Sequence, residues 1–538
     1  MKKSITKITV LLLVLMMLFS LGGCGKQADI DTGTASSTVS TAAESTTAEG
    51  SVKLPIADAP VTLTILTTSL TSTTISNDLP TFKELEKRTN VHLEWTLLPA
   101  SGAADKFNLI MLSGNLPDLI NYTDMTVCYK YAMQGAFVPL EDLIKQYAPH
   151  FQAILDNPPF PIPNIKAELS AGDGHIYAFP QFSDDYMGEV YYVREDWLKK
   201  LNLKIPATTD EYYGMLKAFK ENDPNGNNQK DEIPFCCDHH RVADLRALMS
   251  AFGVHKGFYV AKDQTIKFGP VDDKDRQLEA LNWIKKLYDE GLIDPEFSTT
   301  KSDQFKSKAS SDKVGAMYCW SQSGAINANN ILKKEDPNKK FVPMLPVKGP
   351  YGDQFKEDPQ PLMIQKLLIS KDNKNIETTM KWIDYCYSDE GNLLNLFGIE
   401  DSTYKMVNGK PERIVYDDPK QNPQRVFGIA VPVISRLSDS AATTDQTYYD
   451  AYNLYTKSNV IEAAFPNLPL SEEHQSIKAS TLTQLDTYIE ENLSKLITGA
   501  SPISSYDSYV SGFSKLGVDK LLTIYNEAYR KYLSNSGK

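Results

Sequence analysis

The chain has 538 residues, with 56 basic and 68 acidic side chains and a formal net charge of −12. An acidic chain without clustered Lys and Arg is a poor partner for nucleic acid, whose phosphates demand such clusters. The length allows two or more domains with substantial cores.

Residues 1–23 read as a signal peptide. Lys2, Lys3 and Lys7 form a positive start, and Ile8 to Phe19 is an apolar run of 12 residues. That is too short to cross a bilayer, which takes roughly 20 apolar residues. Leu21-Gly22-Gly23-Cys24 resembles the lipobox of bacterial lipoproteins, which implies cleavage and lipidation at Cys24 and a place on the outer face of the cell membrane. Residues 24–60 are rich in Ser, Thr, Ala and Gly and read as a lipid-anchored flexible linker, because they bury too little surface to offset ordering.

Val61–Leu66 alternates and predicts a strand. Thr81 to Glu84 has the pattern of a capping box, opening a helix to Thr89. Val91–Leu98 alternates again, and a helix over Ala103–Ser113 and a strand over Asp118–Ile120 follow. This alternation predicts an α/β fold with a parallel sheet, whose ligands sit beyond the strands' carboxyl ends. Thr68, Ser69, Asn121 and Tyr122 occupy such positions and are candidate ligand contacts.

Val190–Arg194 reads as another strand. Thr208 to Glu211 is a second capping box, and Tyr212, Met215, Leu216 and Phe219 form a buried stripe on the helix it opens. Further helices are expected over 275–290, 375–388, 472–496 and 516–533, with a strand over Val314–Tyr318.

Asp223 to Glu232 carries oxygen-bearing side chains at Asp223, Asn225, Asn227, Asp231 and Glu232, with Gln229 placed to offer its carbonyl. Calcium takes six to eight hard oxygen ligands on a tight loop, so a structural Ca2+ is expected here. Asn228 stands where EF-hands carry Gly, and Glu232 falls at position 10 rather than 12. A polar turn without an ion is the alternative. The neighbouring Cys236-Cys237-Asp238-His239-His240 lacks the spacers of a transition-metal site. Beyond Cys24, the five cysteines at 128, 236, 237, 319 and 386 form no disulfide framework and are expected as buried thiols.

No nucleophile elbow, zinc-protease or phosphate-loop pattern occurs, and adjacent acid pairs such as Glu195-Asp196 point apart. No enzyme is expected.

Several stretches together resemble the extracellular solute-binding lipoproteins of ABC importers, the large family that includes maltose-binding protein. They are Leu112 to Ile120, Gly174 to Ala178, Val193 to Leu198, the Asp223–Glu232 loop, Leu287 to Pro295 and Trp382 to Tyr385. The loop resembles that of calcium-containing oligosaccharide-binding members. The resemblance implies a two-lobed periplasmic-binding-protein-like fold of class II with the ligand cleft between lobes. By analogy one lobe is 61–180 plus 340–400 and the other 181–339 plus 401–538. It implies hinge closure on a small polar ligand, an oligosaccharide by this reading, and delivery to the importer's membrane subunits by a monomer. It also places Trp320 and Ser321 in a loop where a relative stacks a sugar; Arg194, at the lobe boundary, and Tyr192 are further candidate contacts. A peptide binder, a sensory lipoprotein and a secreted polysaccharide-degrading enzyme are the rival readings.

Overall fold

The computed structural model describes residues 53–535 apart from 69–74, 100–101, 123, 163, 185–186, 239–241, 358–362, 415–430 and 438–444. Cys24, Ser69, His239 and His240 therefore lie outside the described residues.

The first lobe is built on β1 (Val61–Thr68), β2 (Val91–Leu98), β3 (Leu119–Asn121), β4 (Ala178–Ser183), β11 (Met363–Ile369) and β14 (Ile434–Ser435), in the order β14-β4-β11-β3-β1-β2. Strands β1, β2 and β3 are parallel, with Val61 opposite Val91 and Ile65 opposite Leu119. The expected parallel sheet is in fact mixed. β11 returns from the other lobe and pairs antiparallel with both β3 and β4. That insertion is the class II arrangement.

Alternate residues feed opposite faces, as a sheet covered on both sides requires. Leu63, Ile65, Leu119, Leu367 and Ile369 join one core, and Leu66, Ile120 and Leu368 join the other. The helix expected to start on a Thr81 cap starts at Pro80 instead, and Thr81 makes no cap. Proline's fixed φ at the first helical position does that work. The Thr208 box forms as expected, with Thr208 Oγ1 accepting from Glu211 N and Glu211 Oε2 accepting from Thr208 N.

The second lobe has β5 (Glu189–Arg194), β6 (Ile233–Cys237), β9 (Val314–Trp320) and β10 (Phe341–Met344) in the order β10-β5-β9-β6, beside a hairpin of β7 (Phe258–Val260) and β8 (Ile266–Phe268). Tyr191, Val193, Phe235 and Tyr318 face one core and Val190, Tyr192, Cys236 and Met317 the other. Phe341–Met344 pairs with β5, so the return to the first lobe falls after Met344 rather than at 340. Ile434–Ser435 pairs with β4, so the first lobe regains chain beyond 400. The chain thus crosses between sheets at 184–188, at 345–362 and after Ser435.

In the first lobe Asp384 is wholly buried, and it accepts from Phe151 N at 3.0 Å while His150 Nδ1 lies 2.8 Å from its other oxygen. It ties the helix Ile376–Tyr387 to the start of the helix Pro149–Asp156. The carboxylate raises the His150 pKa against the opposing effect of burial. Because the folded value is the higher, the stability the pair adds is present below the ordinary histidine range and fades as pH rises through the folded value. Thermal melts are expected to show this loss as pH rises above the ordinary histidine value of about 6.5, and His150→Gln to flatten it. Asp384→Asn is expected to cost about 2 kcal/mol.

Candidate functional site

In the first lobe the carboxyl ends of parallel strands present Thr68, partly exposed, and Asn121, buried at the end of β3. Tyr122 follows and stacks on Phe107 with ring centroids 4.0 Å apart. In the second lobe β6 and β9 run parallel and end at Cys237 and Trp320. Trp320 is partly exposed, and its backbone N–H donates to Asp238 Oδ2 at 3.3 Å. Ser321 is fully buried, donating its N–H to Gly188 while its hydroxyl has no partner among the described residues.

Two expected contacts are placed elsewhere. Tyr192 is wholly buried, its hydroxyl donating to the Ser321 carbonyl at 3.3 Å. Strand alternation turns it into the core behind the loop it was expected to share. Arg194 also has no exposed surface. Its guanidinium grips Asp196 through Nε (2.8 Å) and Nη2 (2.6 Å) and reaches Asp312 at 2.7 Å. Its plane lies over Trp197 and Phe341. It is an internal clamp, not a ligand contact.

Beside the crossing segments lies a cavity of about 1060 Å³, at the top of the usual range for small-molecule sites. Glu189 marks one end of it and is the register partner of Trp320. The β7–β8 hairpin, Asp353 to Glu357 and Glu462 to Phe465 supply the rest. His255 stacks on Tyr259 at 3.6 Å and on Phe355 at 4.9 Å, so three flat rings form one wall. Phe258 and Phe465 both pack on Tyr525, making a second aromatic face. Burial alone would lower the His255 pKa, but Asp273 and Glu462, the latter 3.0 Å from Nε2, push it up to about 9. The imidazole is therefore charged at neutral pH, and its ring is fixed by both stacking and charge.

Sequence reasoning missed this wall. The hairpin strands Phe258–Val260 and Ile266–Phe268 are three residues each, too short to show a period. Their meeting with segments a hundred and two hundred residues away has no local signal.

The Asp223–Glu232 loop folds on itself through its own oxygens. Asp223 accepts from the N–H groups of Gly226, Asn227 and Asn228, and Asn227 Oδ1 accepts from Gln229 N. Asn225 and Asn227 both donate to Asp231, which also pairs with Lys313 at 2.8 Å. Glu232 Oε1 is buried with no partner among the described residues, and burial, with Asp223 and Asp231 nearby, raises its pKa. Among the described residues no three His, Cys, Asp or Glu side chains gather closely enough to hold a metal alone. A hard cation here would need the asparagine and carbonyl oxygens too. The orphaned Glu232 oxygen, beside the Asp223 and Asp231 carboxylates and the asparagine oxygens, is the kind of hard donor such a cation takes.

A model of the bacterial extracellular solute-binding protein family matches residues 74–393. Among characterised relatives, the fructooligosaccharide ABC transporter substrate-binding protein FusA of Streptococcus pneumoniae is 28% identical over 493 residues, 85% of this chain and 88% of FusA. Lipoprotein LipO of Bacillus subtilis is 25% identical over 85% of this chain and 89% of its own. The polygalacturonan/rhamnogalacturonan-binding protein YtcQ of Bacillus subtilis is 28% identical over 51% of this chain and 52% of its own. Among solved structures, alginate-binding protein AlgQ2 without calcium ion superposes with a TM-score of 0.74 at 27% identity, covering 88% of this chain and 99% of AlgQ2. FusA in complex with kestose gives 0.74 at 27%, covering 88% and 100%. An EF-hand mutant of FusA with fructo-nystose gives 0.74 at 26%, with the same coverage. With its two sheets, its crossing segments and a family match over most of both lobes, the chain belongs to the bacterial extracellular solute-binding proteins.

Proposed function

We propose that this protein captures an oligosaccharide in the cleft between its lobes and delivers it to an ABC importer. The aromatic-walled cavity, lined in part by Asp353, Phe355 and Glu357 between β10 and β11, carries the reading. Flat rings offer an apolar surface to a sugar's C–H face, and the carboxylates between them accept from its hydroxyls. Trp320, the register partner of Glu189, and Thr68, Ser69, Asn121, Tyr122 and Ser321 near the strand ends are the remaining ligand candidates. A ligand touching both lobes would favour the closed population, which the importer's membrane subunits would receive. Lipidation at Cys24 would hold a monomer at the outer face of the membrane, on the leash of 24–60. The work is binding, without turnover.

Neutral fructo-oligosaccharides such as kestose, the ligand of the FusA complex, are the first probes. A ligand at a hundredfold excess over its Kd is expected to stabilise the protein by about 2.7 kcal/mol in a thermal shift. Phe355→Ala is expected to lower affinity about tenfold, as loss of one aromatic anchor does. Degradation of the carbohydrate by pure protein, or no shift from any oligosaccharide, overturns the reading.

The loop would hold Ca2+ through Asp223, Asn225, Asn227, Asp231, Glu232 and the Gln229 carbonyl. The ion's contribution is charge neutralisation, which pins the end of the Thr209–Glu221 helix to β6. Chelator is expected to lower the melting temperature of the wild type and to leave that of Asp223→Ala unmoved. Equal melting with and without chelator removes calcium from the account.

A further inference from the structure

We propose that the cavity selects uncharged oligosaccharides and rejects those built from uronates, an inference that rests on the oligosaccharide reading above. Five carboxylates line it, from Glu189, Asp263, Asp353, Glu357 and Glu462. Its basic lining groups are Lys262, Lys267 and His255, with no arginine among the described lining residues. Two of those three are engaged inside the wall: His255 with Glu462 at 3.0 Å and Lys267 with Asp263 at 4.0 Å. Arg276, which is not among the lining residues, is bound to Asp353 at 2.8 Å.

A uronate needs the opposite equipment. Carboxylates are recognised by forked, charge-assisted donors, above all arginine. Here each sugar carboxylate would enter a space with more negative than positive groups and low-dielectric aromatic walls, where repulsion is poorly screened. A neutral sugar meets no such barrier. Its hydroxyls donate to the same carboxylates, and charged acceptors make stronger hydrogen bonds than neutral ones. Glu357 is already fixed for the task, both its oxygens 2.9 Å from the N–H of Lys256.

The test is titration calorimetry of the purified protein with calcium, in low and in physiological salt. One panel holds neutral tri- and tetrasaccharides of fructose, glucose, galactose and mannose, the second galacturonate, mannuronate and guluronate oligomers of equal length, and the third oligoglucosamine. The tightest neutral ligand is expected to bind at least about a hundredfold better than any uronate, with a Kd that salt barely changes. Asp263→Lys, at the exposed hairpin turn, is expected to narrow that gap about tenfold by reversing one charge. A uronate or oligoglucosamine that binds best overturns the selectivity and leaves the oligosaccharide reading standing. An unchanged gap in Asp263→Lys overturns its electrostatic basis. Silence from all three panels overturns the oligosaccharide reading itself.

Discussion

Arg194→Met is expected to cost about 3 kcal/mol of stability and to leave ligand affinity unchanged. The side chain has no exposed surface, and it is the cation shared by Asp196 and Asp312. Breaking a buried pair from one side typically costs about 3–5 kcal/mol, because the partner is left desolvated and unpaired. Two features hold this case to the low end. Asp196 and Asp312 are each about one-fifth exposed, and Lys339 still reaches Asp312 at 2.6 Å. Methionine keeps the packing over Trp197 and Phe341 and removes only the fork. Arg194→Lys is expected to restore less than half of the loss, since an ammonium cannot satisfy both carboxylates in plane. Denaturant titration reads the first effect and calorimetry the second. A tenfold fall in affinity with unchanged stability would return Arg194 to the ligand.

That residue shows where reading the sequence stops. Val190 to Arg194 declares a strand, and alternation gives its two faces. It does not say that Arg194 meets Asp312, because that contact depends on how β9 and β10 flank β5. The same limit explains the mixed sheet: the sequence predicts no strand over Met363–Ile369, and nothing local there tells a parallel from an antiparallel neighbour. Trp320 was singled out by the resemblance of its polar loop to that of a sugar-binding relative, and it stands at the end of β9. Tyr259, Phe355 and Glu462 were not, since their only shared property is a wall assembled from three distant segments. Thr81 misled because Pro80, one residue earlier, had already set the helix start.

Gly349→Ala is expected to destabilise the protein by about 2–3 kcal/mol and to weaken ligand binding about tenfold. A Cβ at this position would stand 1.7 Å from the carbonyl oxygen of Ala251, which is buried backbone and cannot yield. The overlap is relieved only by lifting the segment that runs on to Asp353, Phe355 and Glu357. Gly349 N also donates to the Asp353 carbonyl, so the displacement is transmitted directly to the cavity wall. Gly352→Ala is the control. Its φ is +84° with open space around the added atom, so it should cost about 1 kcal/mol and spare affinity. Equal behaviour of the two variants would mean that the close approach to Ala251 does not position the wall.

All five described cysteines are free and buried, and burial raises every one of their thiol pKa values, that of Cys386 to about 12. Reactivity belongs to the thiolate, so the native protein should ignore a thiol probe. Cys128 and Cys386 sit in the first-lobe cores, and Cys236, Cys237 and Cys319 in those of the second. Each lobe thus carries its own opening clock. Pulse alkylation followed by mass spectrometry reads which half comes apart first, and whether a sugar that bridges them makes the two clocks keep the same time.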